Sequence, residues 1–288
     1  MKRRMARYST DVGGVNRRQF LKVSSLAAIA AALGGCRSFG GSGLAVNGIR
    51  IGVQMWSVDD LWKAGPVAAF RRLKALGYDG VQSFGFYAMD WNELERMLDG
   101  EGLRIVDMPF YMKNVQPGEF ERFIEFCQRF GIDFAYEPST KCRTAADWQK
   151  HIPELLAAKE KFAKYGIRVG FHNHQVELKP TDGGKPPLQC LYEAGFDMEL
   201  DVGHVKLAGG DPLEWLGKLK GRVPSIHAKP GGGNSVGGAG DKNDWPAIFA
   251  AAAAAGTKWA IVECEARRNT YADVEASAAF IKGLKVES

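Results

Sequence analysis

From residue 49 onward the chain alternates short runs of β-branched and aromatic residues with longer stretches of helical periodicity. Several helical stretches end at a glycine just before the next run, as a helix C-terminus prefers; these are Gly77, Gly131, Gly166 and Gly256. Strands that alternate with helices pair in parallel, because each helical crossover returns the chain to the same edge of the sheet. The pattern therefore predicts an α/β protein.

Eight strands are predicted in residues 49–288, which suits a single (β/α)₈ TIM barrel in both length and strand number. The predicted strands are 49–56, 78–84, 103–108, 132–137, 167–172, 196–201, 223–228 and 258–263. A doubly wound open sheet is the alternative, but no GxGxxG motif opens a helix after the first strand. We therefore expect residues 49–288 to form one TIM-barrel catalytic domain.

The N-terminal residues read as an export signal. Residues 16–22 spell NRRQFLK, a twin-arginine signature, and an alanine-rich segment too short to span a bilayer follows. The sequence LGGC ending at Cys36 resembles a lipobox, in which the cysteine is acylated and becomes the new N-terminus. Residues 1–35 are thus a predicted signal peptide and residues 36–48 a lipidated cysteine with a flexible tether. We expect a membrane lipoprotein on the periplasmic or cell-surface side, in the inner or the outer membrane.

The formal net charge of +5 belongs to this leader. Cleavage before Cys36 leaves 31 basic against 32 acidic side chains, a net charge of −1. A protein that binds a nucleic-acid backbone needs a standing excess of lysine and arginine. We therefore expect no nucleic-acid partner, and the sequence leaves the oligomeric state open.

Polar side chains gather where the predicted strands end. In a TIM barrel these positions converge on one mouth, which is where catalysis takes place. The residues are Glu137, His172, His174, Asp201, His227, Glu263 and Glu265, with His204 in the loop just beyond Asp201. His151 falls in the middle of a predicted helix, and we expect a surface role for it.

Carboxylates and imidazoles that converge on one point repel or titrate unless a cation lies between them. A divalent metal supplies that charge, and mixed carboxylate and imidazole ligation suits Mn²⁺, Zn²⁺, Co²⁺ or Fe²⁺ better than Ca²⁺. Strand periodicity lets His172 and His174 share a face, as do Asp201 and the deeper Glu199, which we expect to orient Asp201. A polar cluster without metal is the alternative.

The segments HNHQVEL, ELDVGH, GRVPSIHAKP, VGGAGDKNDW and IVECE, in this order and spacing, resemble the xylose isomerase-like TIM-barrel superfamily, particularly its sugar phosphate isomerase/epimerase branch. The resemblance extends over residues 49–285. It implies a divalent metal, Mn²⁺ before Zn²⁺, Co²⁺, Fe²⁺ or Mg²⁺, held by a Glu, an Asp, a His and a second Glu. Asp201, His227 and Glu263 match the last three ligands, and His172 stands in place of the first glutamate.

This departure bears on the reaction. In epimerases of the family two metal-bound glutamates exchange a proton on opposite faces of the substrate, so His172 argues against two-base epimerisation. The inosose dehydratase branch is similar in carrying an H-x-H here, and it performs metal-assisted elimination. The resemblance also places Glu177 and His204 near substrate-contacting residues. We expect Glu263 to act as the base, with His174 or Glu177 as the partner acid.

The expected substrate is a small carbohydrate without phosphate. The glycine-rich KPGGGNSVGGAG lacks the P-loop ending and is expected to form a mobile loop over the mouth. Lys229, Glu137 and Trp56 are predicted to contact the sugar together with His204. The metal would stabilise an enediolate, which either reprotonates or expels a β-substituent. Isomerase, epimerase, dehydratase and lyase outcomes therefore all stay open.

Two other functions compete with this one. A non-catalytic carbohydrate-binding lipoprotein on the same barrel is favoured by the replacement of a glutamate by His172. An abasic-site endonuclease is disfavoured by the mature charge, by the export signal and by too few metal-ligating residues. The sequence leaves open the identity of the sugar and of the metal. It also leaves open whether the fourth metal ligand is His172, Glu177 or Glu137.

Overall fold

Parallel strands form the centre of the structure, a computed structural model that describes residues 43–83, 86–182, 184–265 and 270–285. The strands are β1 Ala45–Val46, β2 Ile49–Gln54, β3 Gly80–Gln82, β4 Arg104–Ile105, β5 Met108–Pro109, β6 Phe134–Glu137, β7 Arg168–His172, β8 Asp197–Asp201, β9 Ser225–Ala228 and β10 Trp259–Val262. β1 pairs antiparallel with β2, and the other pairings are parallel.

Helices follow most of the strands and return the chain to the same end of the sheet. They are α1 Asp59–Ala64, α2 Pro66–Leu76, α3 Trp91–Glu101, α4 Glu119–Phe130, α5 Ala145–Ala163, α6 Pro187–Glu193, α7 Val202–Leu207, α8 Pro212–Lys218, α9 Trp245–Ala255 and α10 Thr270–Gly283. The predicted helix-ending glycines Gly77, Gly131 and Gly256 are the C-cap residues of α2, α4 and α9, in left-handed backbone. Gly166 also has a positive φ, but α5 ends before it, with Lys164 as its C-cap.

The sheet closes on itself through one divided strand. The strand order is β4-β3-β2-β10-β9-β8-β7-β6-β5. β4 and β5 belong to one extended segment, and they pair with β3 and β6 respectively. With this segment counted as one position, the ring has eight positions, as the (β/α)₈ TIM barrel predicted from the sequence requires. The fold prediction is confirmed.

The predicted strand 103–108 is interrupted between Ile105 and Met108, where a buried polar side chain lies. Val106 still donates its backbone N–H to the carbonyl of Val81, at 3.0 Å. The next residue, Asp107, is buried and accepts bonds from Gln82 and Ser225 inside the barrel. The first predicted strand also ends early, because the Gln54 side chain accepts the Trp56 N–H at 2.5 Å and starts a 3₁₀ turn.

Aromatic packing fixes the helices against the half of the barrel that contains β5 and β6. The Phe162 ring of α5 lies 5.1 Å from Phe110, 5.1 Å from Phe120 and 5.5 Å from Phe123, measured between centroids. All four side chains are buried. This cluster packs α4 and α5 against the sheet and thereby positions α5, which carries His151, beside the end of β6.

The glycine-rich segment after β9 is tied to a single carboxylate. Asp241 accepts the backbone N–H of Gly231 at 2.8 Å, that of Gly237 at 2.8 Å and the indole N–H of Trp245 at 2.6 Å. The glycines here serve close packing, since an added Cβ at Gly237 would lie 2.3 Å from the Phe280 ring. The arrangement gives no support to the predicted mobile loop.

We expect Gly237→Ala to lower the free energy of unfolding by about 2–4 kcal/mol. The φ of +68° disfavours a Cβ, and the Phe280 ring occupies the space it needs. Gly256→Ala is the matched control, because Gly256 also has a positive φ, of +86°, but nothing lies within 4 Å of its added Cβ. Urea unfolding of both variants measures the difference, and equal losses would show that the contact with Phe280 does not matter.

Some sequence predictions fall outside the described residues. They concern the signal peptide 1–35, the lipidated Cys36 and most of the tether 36–48. In the part of the chain that the structure describes, no helix is long and apolar enough to cross a membrane. Four described cysteines, Cys127, Cys142, Cys190 and Cys264, are free thiols.

Candidate active site

Three adjacent strands bring His172, Asp201 and His227 together at the barrel mouth. His172 and Asp201 are the last residues of β7 and β8, and His227 lies opposite Asp201 in the pairing of β8 with β9. One donor atom of each residue lies within 4.8 Å of the other two, and all three side chains are buried. The sequence predicted these residues as metal ligands, and the structure places them together; their role stays a prediction.

Asp201 is held firmly but keeps one oxygen without a donor. Its Oδ1 accepts the backbone N–H of His204 at 2.7 Å and so caps α7, while the Asn173 side chain bonds its backbone on both sides. Its Oδ2 is buried, lacks a hydrogen-bond partner among the described residues and lies 3.7 Å from His227 Nδ1. Burial raises the pKa of Asp201 to about 6. A carboxylate in this state gains free energy when a cation approaches.

His227 lies between two carboxylates. Its Nε2 is 2.8 Å from Gln82 Oε1 and 3.3 Å from Glu199 Oε2, and its Nδ1 is 3.1 Å from Glu263 Oε2. Burial alone would lower the pKa of His227, but Glu199 and Glu263 raise it well above its usual range. The imidazole therefore carries two protons as long as no metal displaces one.

Glu199 supports the histidines and does not orient Asp201, contrary to the sequence prediction. The pairing of β7 with β8 sets Glu199 opposite His172, and its Oε2 lies 3.1 Å from His172 Nδ1. Burial would raise the pKa of Glu199, yet His227 and His172 hold it at about 2. The prediction was based on Glu199 and Asp201 sharing one face of β8. The partner of Glu199 is set instead by the register between β7 and β8, which places it opposite His172.

A polar layer beneath the histidines was missed at the sequence level. Barrel interiors are usually filled by branched aliphatic side chains. Here the buried Gln82 donates to Asp107 Oδ1 at 3.0 Å and also to Glu199, while Ser225 donates to Asp107 Oδ2 at 3.1 Å. Burial, and then the charge of Glu199, raise the pKa of Asp107 well above its usual range. The available signal was a polar residue inside an apolar run, Gln82 in GVQSF and Asp107 in IVDMP.

Lys229 and Glu263 form a buried ion pair beside His227. Lys229 Nζ lies 3.1 Å from Glu263 Oε2 and 2.7 Å from Glu265 Oε2. Burial would raise the pKa of Glu263, but His227 and Lys229 hold it well below its usual range. The cation that the sequence argument required between the carboxylates is therefore supplied in part by the protein itself. Glu263 adjoins the three-residue donor group without belonging to it.

His174, His204 and Glu177 form the next layer outward. The backbone N–H of His174 donates to Glu177 Oε2 at 2.8 Å, and the rings of His174 and His204 lie 5.0 Å apart. Burial and the neighbouring His172 lower the pKa of His174 to about 4, and burial and Lys229 lower that of His204 to about 3. Burial raises the pKa of Glu177. Both imidazoles are therefore neutral at pH 7 and able to accept hydrogen bonds.

His151 has a buried partner, so the predicted surface role is wrong. It follows Trp148 by three residues and precedes Leu155 by four, which places it on the buried face of α5. Its Nε2 lies 2.6 Å from Oε2 of Glu137, the last residue of β6. The predicted sugar contact Trp56 lies in the 3₁₀ turn Met55–Val58 that follows β2, and it is 53% exposed.

The pair of Glu137 and His151 makes a pH-dependent contribution to stability. The hydrogen bond between the two side chains raises the pKa of His151 above 6.5. A raised folded-state pKa stabilises the protein below the unfolded-state value, and the gain is lost as the pH rises through the folded-state value. We expect Glu137→Gln to cost about 1–2 kcal/mol at pH 5.5 and less at pH 8.5, measured by urea unfolding. Glu154→Gln is the control, since Glu154 lies 3.9 Å from His151 Nδ1 and is half exposed.

Two cavities open beside these residues at the carboxyl ends of the strands. One, of about 670 Å³, is lined by Tyr111, Glu137 and His151 among others. The second, of about 490 Å³, is lined by His174 and Glu177 among others. The segment with Ser139, Thr140 and Cys142 contributes to both linings. The two cavities are therefore neighbours that share a wall.

The donor set fits a divalent metal ion. The oxygen of Asp201 that has no partner in the described part of the chain faces two imidazoles, and mixed oxygen and nitrogen donors suit Mn²⁺, Zn²⁺ or Fe²⁺. Glu199 bonds to His172 Nδ1 and thereby fixes the ring orientation, as carboxylates behind metal-bound histidines commonly do. His227 would release one proton to serve as a ligand.

Comparison with known proteins gives consistent results. Residues 70–284 match the family described as xylose isomerase-like TIM barrel. The rhizopine catabolism protein MocC of Rhizobium meliloti is 23% identical over 218 residues, a match that covers 66% of this chain and 66% of that protein.

Solved structures share the fold. A sugar phosphate isomerase/epimerase from Parabacteroides distasonis superposes with a TM-score of 0.71 at 23% identity, covering 83% of this chain and 95% of that one. A 3-keto-D-glucoside 4-epimerase from E. coli superposes with a TM-score of 0.63 at 14% identity, covering 82% and 100%. At these identities the superpositions establish a common architecture.

Proposed function

Because the chain belongs to the xylose isomerase-like TIM-barrel family, we propose that it is a metal-dependent enzyme that removes the proton α to the carbonyl group of a sugar. The observation that carries this proposal is the buried group of His172, Asp201 and His227, with an Asp201 oxygen that lacks a donor among the described residues. The negative charge of Asp201 in such a site is neutralised when a metal ion binds. Glu263 lies next to the site and is able to take up a proton.

His172, Asp201 and His227 would hold the metal together with Glu263, with Mn²⁺ as the favoured ion over Zn²⁺, Co²⁺, Fe²⁺ and Mg²⁺. When bound, the metal supplies positive charge that favours the negative oxygen formed as the α-proton leaves. The polar layer beneath the histidines keeps the ring of His172 oriented through Glu199.

Glu263 is the proposed base. Its low pKa keeps it ionised at neutral pH, which is the form that a base needs. Lys229 now bonds to Glu263 at 3.1 Å, and a sugar oxygen that attracts Lys229 would leave Glu263 more basic. Glu177, whose pKa is raised by burial, would return a proton from its protonated carboxyl group. His174 is the other predicted acid, but it is neutral and would have to take up a proton before it could return one.

The returned proton decides the product. Delivery to the neighbouring carbon gives an isomer, and delivery to the opposite face of the same carbon gives an epimer. If a group on the next carbon leaves instead, the result is dehydration or lyase cleavage. The presence of His172 where the family resemblance implies a glutamate favours the last outcome over two-base epimerisation.

We also propose that the mature protein is exported by the twin-arginine route and anchored by a lipid on Cys36, on the periplasmic or cell-surface side. The order of twin-arginine motif, apolar segment and lipobox supports this. Partition of the expressed protein into Triton X-114 tests it. Cys36→Ser is expected to move the protein into the aqueous phase, and a variant that stays in the detergent phase would rule out the lipid.

Proton exchange tests the chemistry. The protein is incubated in D₂O with a panel of ketoses, first stripped of metal and then with added Mn²⁺, and deuterium at the carbons beside the carbonyl is followed by NMR. We expect exchange that requires metal and occurs with at least one sugar. A panel that shows sugar binding but no exchange would instead support the alternative, a non-catalytic carbohydrate-binding lipoprotein. That alternative is favoured by His172 and by the hydrogen bonds that already occupy Glu263 Oε2.

A further inference from the structure

We propose that the cavity of about 670 Å³ over β6 is a second sugar subsite, formed by Tyr111, Glu137 and His151. It would hold the second ring of a glycoside whose reacting sugar lies at His172, Asp201 and His227. This inference rests on the proposed sugar chemistry and names the substrate class as a glycoside of at least two rings.

The first support is a polar pair built into the cavity wall. Glu137 ends β6 at the carboxyl end of the sheet, its carboxylate faces helix α5, and its side chain is only 4% exposed. His151 Nε2 lies 2.6 Å from one Glu137 oxygen, and the ring is 11% exposed. A carboxylate held in this way is a fixed acceptor for sugar hydroxyl groups, because it is already desolvated and cannot turn away.

The second support is an exposed aromatic ring on the same cavity. Tyr111 follows β5 and is 46% exposed, although large apolar rings are commonly buried. Its backbone is fixed, since its N–H donates to Asn114 Oδ1 at 2.9 Å. An exposed ring on a rigid backbone offers an apolar face to the C–H groups of a pyranose at a small entropic cost.

The charge of the cavity fits a neutral ring. Three acidic side chains and three lysines line it, together with His151; they are Glu137, Asp147, Glu154, Lys113, Lys141 and Lys150. Asp147 is already committed to capping α5, where it accepts the N–H groups of Arg143 and Thr144 at 2.9 Å. A near balance of charge favours a hydroxylated neutral group over a phosphate.

The third support is the position of the cavity. It shares Ser139, Thr140 and Cys142 with the cavity of about 490 Å³, which His174 and Glu177 line. Each cavity alone is within the usual size of a small-molecule site. A single sugar ring beside His174 would leave the cavity of about 670 Å³ at Tyr111 empty. A disaccharide would extend past Ser139, Thr140 and Cys142 and place one ring in each cavity.

Ketose disaccharides test the subsite directly. D-Fructose is compared with turanose, lactulose and isomaltulose, which carry a second ring on O3, O4 and O6 of the same ketose. Dissociation constants are measured by calorimetry on the full chain with Mn²⁺ present. We expect at least one disaccharide to bind about tenfold more tightly than D-fructose. We also expect His151→Gln and Tyr111→Ala each to reduce this ratio to within about twofold of one.

Tyr165→Ala is the matched control, because Tyr165 is 40% exposed and packs on Phe120 away from the cavity. It is expected to leave the ratio unchanged. Tyr111→Ala keeps the test valid if the His151 variant misfolds, because Tyr111 is 46% exposed and its removal disturbs the fold less. The subsite is refuted if every disaccharide binds no better than D-fructose, or if the ratio survives both substitutions. Binding is measured apart from proton exchange, so a failed exchange assay overturns the proposed function and leaves the subsite result to stand on its own.

Discussion

Replacing Glu263 by glutamine is expected to lower the rate of metal-dependent proton exchange by about 10²–10⁴-fold, the usual contribution of a general base. Glutamine keeps the size of the side chain and its ability to bond with Lys229 but cannot take a proton. His227 and Lys229 lie 3.1 Å from Glu263 Oε2, so the loss of charge also changes the metal site. Measuring deuterium incorporation per unit of metal-loaded protein separates the loss of the base from a loss of metal binding.

Glu265→Gln provides the control for this experiment. Glu265 lies two residues further on, bonds to the same Lys229 at 2.7 Å and is half exposed. A change that acts only by freeing Lys229 would appear equally in both variants. We expect Glu265→Gln to cost less than about tenfold, because the half-exposed Glu265 carboxylate is screened by solvent. Similar losses in the two variants would remove Glu263 from the role of base.

Replacing Asp201 by asparagine is expected to weaken Mn²⁺ binding by more than about 100-fold. Mutation of a residue that only hydrogen-bonds to a metal ligand already weakens metal binding by about 10–100-fold, and Asp201 is proposed as a ligand itself. Asparagine retains an oxygen to accept the His204 N–H, so the cap of α7 survives. It removes the negative charge whose Oδ2 lacks a partner in the described ranges. Calorimetric titration of the metal-free protein with Mn²⁺ measures the change, and an unaltered affinity would contradict the metal site.

The same substitution should stabilise the metal-free protein. The folded-state pKa of Asp201 is about 6, above its ordinary 3.8, so the folded state disfavours the ionised form. Stability is therefore lost as the pH rises through about 6, and the full penalty is present at pH 7.5. Asparagine carries no such penalty. We expect a gain of roughly 1–3 kcal/mol at pH 7.5 that disappears below about pH 4.

Asp197→Asn should behave in the opposite way. Asp197 begins β8, at the other end of the strand from Asp201, and accepts from Arg168 Nε at 2.7 Å. It is a carboxylate with a partner, so its removal is expected to lower the free energy of unfolding by about 1 kcal/mol and to leave Mn²⁺ affinity unchanged. If both variants were destabilised, the free-energy penalty assigned to the buried, ionised Asp201 would be absent.

Local pattern was sufficient to predict the barrel and the strand ends that carry the proposed site. Parallel strands place their carboxyl ends at one mouth, so His172, Asp201 and His227 could be grouped without coordinates. The bond between His151 and Glu137 was not predicted, because it joins helix α5 to the end of β6 and the two residues lie 14 positions apart in the sequence. The polar barrel interior at Asp107 was not predicted either, because most sequence neighbours of Asp107 are apolar.

The sequence by itself determined the order of strands and helices, the chemistry of the side chains at the mouth and the family resemblance, because periodicity and residue type are local properties. Only the tertiary structure decided which charges meet. Lys229 and a doubly protonated His227 supply part of the positive charge that the sequence argument gave wholly to a metal. Glu199 serves the histidines and not Asp201 because cross-strand register, which depends on how neighbouring strands align, sets its partners.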